Sequence, residues 1–508
     1  MGRIKRFSLT LLSSGMATIL SFLISFLLTP FITNKLGSEA YGFVTLAKNF
    51  AYYATIVTLA LNSYAARYIA VEYYQGNFRE ANKYVSSVFI GDVILAGTIF
   101  VIAILIDISL DRMLNISPVL IKSVKLLFLL VFINFVLTTV GTSFSASAYI
   151  KNRLDLVGIF RTVSYIVEMV TYILLFKYTD AQVWYVGVAL LLAGIIVFFG
   201  NVYIFKKYTP ELSLNKNNIS FYAIRQLVVS GIWNSVNSIG NILNSGLDLL
   251  VANLMLSSLA MGQLAITKTI SAIFESFNQM IAQPFQPLFL QSYSKGDMTS
   301  LLNEFKIAMK VSGLFSCLVF AGFYVLGRDF YRLWLPEQDT ELIYTLTVLT
   351  FIYMAFEGPI YSLYYIYTLT VSNKIPCIIT IIGGFLNVCG MYFLIKYTSL
   401  GVYAIVLTTV IVMTVISLIT NPIYMTRCLK IKWYTFYPTF VRIISACVMM
   451  TFILKILSNR MDCSDWVGFG ILTVLYATVG FIVYVIIVFS KKEKQQLASY
   501  MQKIILKK

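Results

Sequence analysis

Leu36-Gly37-Ser38-Glu39-Ala40-Tyr41-Gly42, followed six residues later by Lys48, returns about 220 residues further along as Leu256-Ser257-Ser258-Leu259-Ala260-Met261-Gly262, again trailed by a lysine, Lys268. At the same offset Tyr73 falls on Tyr293 and Gly76 on Gly296, and upstream Ser14-Gly15 meets Ser230-Gly231 once about four residues of slippage are allowed. The chain reads as an internal duplication with a cationic side chain at the same place in each copy.

The sequence around the two copies is 59% hydrophobic, 15% aromatic and only 12% charged over 508 residues. That balance excludes an ordinary water-soluble domain and predicts an all-α integral membrane protein. Apolar runs long enough to cross a bilayer begin near Ser8, Tyr41, Val85, Val119, Leu156, Val183, Leu227, Gln263, Ile307, Leu342, Ile375, Val402, Tyr437 and Trp466, which gives about 14 transmembrane helices. The run Ser8 to Ile32 follows Arg3, Lys5 and Arg6, but it is too long for a signal peptide and lacks a small-residue cleavage site, so it reads as a retained first span. With the N-terminus in the cytoplasm, about 25 Lys and Arg fall in inside segments and about 8 outside. The strongest inside clusters are Arg67/Arg79/Lys83, Lys206/Lys207/Lys216/Arg225, Arg427/Lys430/Lys432 and the tail from Lys491 to Lys508. An even span count leaves both termini cytoplasmic, and the net charge of +17 is assigned to cytoplasmic loops rather than to a nucleic-acid surface.

An offset spanning six helices returns the second copy to the orientation of the first, so the halves are parallel repeats. The expected organisation is a six-helix lobe over residues 1–212, a second over 213–429, and an extra helix pair with a basic cytoplasmic tail over 430–508. Such halves are expected to enclose a site near the midplane. No aqueous loop is long enough for a folded extramembrane domain, and no G-x-x-x-x-G-K-[ST] motif occurs. Histidine is absent, which removes the commonest general base and zinc ligand. The six cysteines are scattered and form no C-x-x-C pair, so neither a disulfide framework nor a metal knuckle is implied. No cofactor is expected.

Polar residues inside spans are costly and mark sites by default. In the seventh span Asn234, Asn237, Asn241, Asn244 and Asp248 recur every three or four residues, a spacing that keeps them on one helical face. In the eighth, Lys268, Ser271, Glu275 and Asn278 form a second stripe, and in the second Lys48, Tyr52, Thr55 and Asn62 form a weaker one. One Asn in a membrane helix ordinarily hydrogen-bonds a neighbouring helix. Five turns of polarity ending in Asp248 are better explained as a cavity lining, whereas Lys48 and Lys268 lie near span ends and have the alternative of snorkelling. Arg161 and Glu168 read as a self-neutralising buried pair, and Asp92 as part of the cytoplasmic mouth of the third span. Glu357 precedes Gly358-Pro359, where a kink is expected, and reads either as protonated and structural or as a coupling site.

Thr29-Pro30-Phe31-Ile32-Thr33-Asn34-Lys35-Leu36-Gly37-Ser38-Glu39-Ala40-Tyr41-Gly42, then Ala66-Arg67-Tyr68, Tyr74-Gln75-Gly76-Asn77, Gly246-Leu247-Asp248 and Tyr293-Ser294-Lys295-Gly296-Asp297 resemble Wzx-type polysaccharide flippases. These belong to the multidrug/oligosaccharidyl-lipid/polysaccharide exporter superfamily, with lipid II flippases and MATE drug exporters among their relatives. The resemblance covers nearly the whole chain. It implies a MATE-like fold in a bacterial inner membrane and flipping of an undecaprenyl-pyrophosphate-linked O-antigen or capsule repeat unit to the outer leaflet, without enzymatic chemistry. It further implies cavity-facing cations at Lys48 and Lys268 for the pyrophosphate and an acidic residue of the seventh span at Asp248; the stripes themselves give Asn234, Asn237, Asn241, Asn244, Ser271 and Asn278 as polar lining and, with Glu357, make Asp248, Glu275 and Glu357 the candidates for Na+ or H+ coupling. Lys stands where that family often has Arg, which replaces a bidentate grip by a point charge. The implied partners are the lipid-linked oligosaccharide, membrane lipid, and the polysaccharide polymerase and export machinery, with no nucleic acid. A MATE-type cation or drug antiporter is the alternative. A membrane-embedded polymerase or ligase is disfavoured by the short outside loops around Asp107 to Pro118 and Arg328 to Glu341.

Overall fold

Hydrocarbon offers no water to backbone N–H and C=O groups, so a chain this apolar must satisfy them within helices. The computed structural model describes residues 3–458, 463, 465–491 and 493–495, the side chains of residues 3–12 and 14 excepted. Most of the basic tail from Lys491 to Lys508 therefore lies outside the described residues, as do the side chains of Arg3, Lys5 and Arg6. The principal helices are α1 (Arg3–Asn62), α2 (Phe78–Ile108), α3 (Ile121–Thr142), α4 (Leu154–Tyr178), α5 (Tyr185–Tyr208), α6 (Phe221–Asn241), α7 (Asp248–Met255) and α8 (Ser258–Ala282). They continue as α9 (Met298–Trp334), α10 (Thr340–Tyr361), α11 (Lys374–Tyr397), α12 (Val402–Val415), α13 (Asn421–Cys428), α14 (Tyr437–Ser458) and α15 (Trp466–Val488).

Eleven helical segments among the described residues are long and apolar enough to cross a bilayer, against about fourteen expected from the sequence. The shortfall has two causes. Helix α1 counts as one segment of 60 residues, about 90 Å if straight, but it turns at Gly37, whose φ of 83° and ψ of 166° are not helical. Helices α6 to α8 carry the Asn, Lys and Glu stripes that mark the candidate site, and those residues lower their mean hydropathy.

Packing divides the chain into two units, Met1–Ile266 and Thr267–Lys508. The first unit ends within α8, and α6 belongs to it because it packs along α1. In the first unit α1 also lies against α4, and α3 against α5. In the second, α9 packs against α10, α14 and α15, and the Tyr484 hydroxyl of α15 donates to the Lys310 carbonyl at 2.8 Å. Lys310 Nζ is in turn 2.7 Å from Glu493. The helix pair outside the duplication is thus joined to α9 by packing, a hydrogen bond and an ion pair.

The duplicated blocks touch each other within the first unit. A β-carbon on Gly42 would stand 2.9 Å from Gly262 Cα, and one on Gly262 would overlap the Ser38 carbonyl. Only glycine permits backbones this close. The blocks turn by different means: the first at Gly37, the second between α7 and α8, where Ser257 Oγ accepts from the Ala260 N–H at 3.1 Å. A single loop fastens both. Ser117 donates through N–H and hydroxyl to Glu39 at 3.0 and 2.7 Å, while Asn115 and Asn253 exchange three hydrogen bonds of 2.6 to 3.1 Å.

Overpacking a backbone contact of this kind costs about 1–3 kcal/mol. Gly42→Ala and Gly262→Ala are each expected to lower the thermal unfolding midpoint in detergent. Gly97→Ala, whose β position has nothing within 4 Å, is expected to leave it unchanged or slightly raised; equal behaviour of all three variants would remove the contact from the account of the fold.

Candidate functional site

In the first unit, the polar stripe of the seventh span divides into two parts. Asn234 and Asn241 are exposed and Asn237 half-buried, whereas Asn244 and Asp248 are buried. The cause is a π-turn at Ile242–Gly246, which inserts a residue and rotates the downstream side chains by about 100° relative to a continuous helix. The expected single face therefore ends at Asn241. Asn244 Nδ2 donates back to the Gly240 carbonyl at 2.9 Å. The Tyr53 hydroxyl of α1 donates to the Gly246 carbonyl at the break, and Tyr53 lies beside Asp248.

Lys48 is exposed on α1, and its ammonium is the charge that acts on buried Glu168 of α4. The Tyr172 hydroxyl completes that group by donating to Glu168 at 2.8 Å. Arg161 is exposed, and the charge that acts on Glu168 is that of Lys48 rather than of Arg161. Asp92 is completely buried rather than at a mouth. It accepts hydrogen bonds from Asn62 Nδ2 at 2.7 Å, Ser143 Oγ at 2.8 Å and Thr142 Oγ1 at 3.4 Å. Asn62 of the second-span stripe is thereby tied to a carboxylate. Tyr52 is exposed, and Thr55 Oγ1 bonds the Tyr52 carbonyl at 2.6 Å.

In the second unit, Lys268 is half-buried and Glu275 exposed on α8, and the two interact electrostatically. Ser271 is buried and donates to the Thr267 carbonyl at 2.9 Å. Asn278 is also buried and accepts from Ser316 Oγ of α9 at 2.9 Å. Glu357 on α10 lies within the field of Glu275 and heads a hydrogen-bonded chain. The Tyr364 hydroxyl donates to Glu357 at 3.1 Å, Asn421 Nδ2 to the Tyr364 oxygen at 3.3 Å, and the Tyr367 hydroxyl to Asn421 Oδ1 at 3.0 Å. Asn421 opens α13 directly after a second π-turn, Ile416–Thr420. There too a tyrosine from a neighbouring helix takes a carbonyl, Tyr437 donating to Leu418 at 2.6 Å. Tyr364, Tyr367 and Asn421 escape a sequence reading because their contacts are long-range and none is charged. Among the described residues no group of three or more His, Cys, Asp or Glu side chains gathers to hold a metal.

A family model described as "Polysaccharide biosynthesis protein" matches residues 10–292. A Bacillus subtilis (strain 168) protein named "Uncharacterized membrane protein EpsK" is 30% identical over 503 residues, 97% of each chain. The chain belongs to the polysaccharide biosynthesis protein family. This membership makes it a Wzx-type member of a transporter and flippase class rather than an enzyme, and supports a role in moving material across the membrane for polysaccharide biosynthesis. The fold is shared with solved members of the MOP superfamily. A lipid II flippase, MurJ, in an inward closed conformation superposes with a TM-score of 0.67 at 16% identity, covering 93% of this chain and 97% of that one. An inward-facing MATE multidrug transporter gives 0.66 at 16% identity, covering 80% and 95%. The family is thus an all-α, multi-spanning membrane fold related to the MATE exporters.

Interhelical hydrogen bonds within membranes contribute about 1 kcal/mol. Tyr53→Phe removes the donor to Gly246 and is expected to lower unfolding stability by about that amount. Tyr52→Phe, at an exposed ring one residue away, is expected to be neutral in the same melting assay. Equal midpoints for both would show that the π-turn carbonyl needs no donor.

Proposed function

We propose that the protein is a flippase that carries an undecaprenyl-pyrophosphate-linked oligosaccharide repeat unit from the cytoplasmic to the outer leaflet by alternating access. In this proposal α1 crosses twice and α6–α7 and α8 cross once each, which makes fourteen spans: six in each repeat lobe, 1–212 and 213–429, and two in the pair over 430–508. Both termini are cytoplasmic, in a bacterial inner membrane. Lys48 and Lys268 attract the pyrophosphate, while Asn234, Asn237, Asn241, Asn244, Ser271 and Asn278 supply polar contacts.

The observation that carries this reading is that the duplication repeats a lysine at the same place, Lys48 and Lys268, with Lys48 near enough to act on buried Glu168 and Lys268 to act on Glu275. An isolated charge near the middle of a bilayer costs about 2.5–3.5 kcal/mol even on insertion scales, so each ammonium needs a counter-charge when no substrate is present. A pyrophosphate is a stronger one. Substrate and carboxylate then compete for the same ammonium, and a proton or Na+ taken up by the released carboxylate supplies coupling. The carboxylates so released are Glu168 at Lys48 and Glu275 at Lys268; Asp248, Glu275 and Glu357 are the candidates for ion coupling, and kinship of fold with MATE exporters supports it. The same three carboxylates support a MATE-type cation antiporter as the second reading.

Lys48→Ala and Lys268→Ala are each expected to abolish surface polysaccharide at unchanged protein abundance, with Lys→Arg retaining part of it. Wild-type export by the double Ala variant would sink the assignment. In proteoliposomes, flipping of a pyrophosphate-linked glycolipid is expected to respond to an imposed Na+ or pH gradient, and Glu275→Gln or Glu357→Gln to blunt that response. Uptake of cationic dyes without flipping would favour the antiporter.

A further inference from the structure

The second unit contains a cavity of about 280 Å³, at the small end of ligand pockets, roughly 300–1,000 Å³. One wall is the end of α8 and the turn after it, with Gln279, Gln283 and Gln286; the other is the segment after α10, with Tyr361, Tyr365 and Thr368. The three glutamines follow at intervals of four and three, the spacing of one helical face. No residue of the lining is charged.

We propose that this pocket is a saccharide subsite that holds one neutral pyranose ring of the transported headgroup. An uncharged wall with carboxylates behind it gives a phosphate no counter-charge for its desolvation and offers a cation no charged group to touch. Three carboxamides, each with two donors and an acceptor, match a ligand whose hydroxyls both donate and accept. Tyrosine rings add flat apolar faces for the C–H face of a sugar. The aromatic wall is held in place beforehand: Tyr364, also on it, is bonded to Glu357 and Asn421, and Tyr361 lies beside both Glu275 and Glu357. Such fixing reduces the ordering cost of binding.

Placement on α8 adds a length. Gln279 is eleven residues beyond Lys268 on the same helix, about 16 Å along its axis. A pyrophosphate at Lys268 and a ring in this pocket would therefore be separated by further sugars, so the subsite reads the end of the oligosaccharide remote from the lipid. This inference rests on the proposed substrate class, with the cytoplasmic orientation proposed above placing the pocket toward the side from which the headgroup arrives.

The test uses the full-length protein in nanodiscs, with saturation-transfer NMR on methyl glycosides of glucose, galactose and N-acetylglucosamine, and phosphorus line broadening of inorganic pyrophosphate. At least one glycoside is expected to receive saturation, with a loss of about fivefold, equivalent to about 1 kcal/mol, in Gln283→Leu and in Tyr365→Ala. Tyr365→Phe and Lys268→Ala should retain the signal. If Tyr365→Ala fails to fold, Gln283→Glu at an exposed position takes its place with the same expected loss. Silence from all three glycosides, or signals unchanged in the pocket variants, overturns the proposal. Pyrophosphate broadening that disappears in Lys268→Ala while glycosides stay silent keeps the flippase reading and rejects the subsite. Glycoside saturation without a pyrophosphate response does the reverse.

Discussion

A backbone carbonyl freed inside a membrane has no solvent to turn to, and most of this structure's irregular features arise from that constraint. Where α6 and α12 pass into π-turns, a tyrosine of another helix donates to a carbonyl of the turn, Tyr53 to Gly246 and Tyr437 to Leu418, the latter left without a helical donor because Pro422, four residues on, has no N–H. Each break is therefore tied to a particular neighbour, and a helix that bends must keep or exchange that partner. Hinges in such a protein are hydrogen-bonding choices as much as glycine or proline positions.

Charge obeys the same rule with larger stakes. Asp92 is surrounded by three neutral donors, Glu168 by a hydroxyl and an ammonium, and Glu357 by a tyrosine within a longer chain. These are different answers to one problem, the desolvation of a carboxylate. The donor-only arrangement at Asp92 needs no exchangeable cation and suits a structural role. The lysine-linked carboxylates differ, because an anion arriving at either ammonium changes the carboxylate's surroundings directly.

Much of the candidate site was legible as residue type and period. The stripes on α6 and α8, the repeated lysine and Glu357 beside its proline were all visible in the sequence, because buried polarity in a membrane helix is rare enough to stand out. Their partners were not. Lys48 acts on Glu168 from more than a hundred residues away, Asn62 meets Asp92, and Asn278 meets Ser316; helical periodicity says which residues share a face, not which face the neighbour presents. The π-turn at Ile242–Gly246 also escaped, since a one-residue insertion in the backbone leaves no mark in a pattern of asparagines.

The amino-acid sequence alone determined the membrane environment, the helical class, the duplication and the polar helices, because hydropathy and period are local properties summed along the chain. The tertiary structure decided how the duplication is used: the two copies of the opening block grip one another at Gly42 and Gly262, with one loop fastening both. It also decided that Glu168 lies where the Lys48 charge acts on it. Both depend on packing: the first on backbones approaching within contact distance, the second on Glu168 of α4 being brought near α1, and such relations exist only in the folded chain.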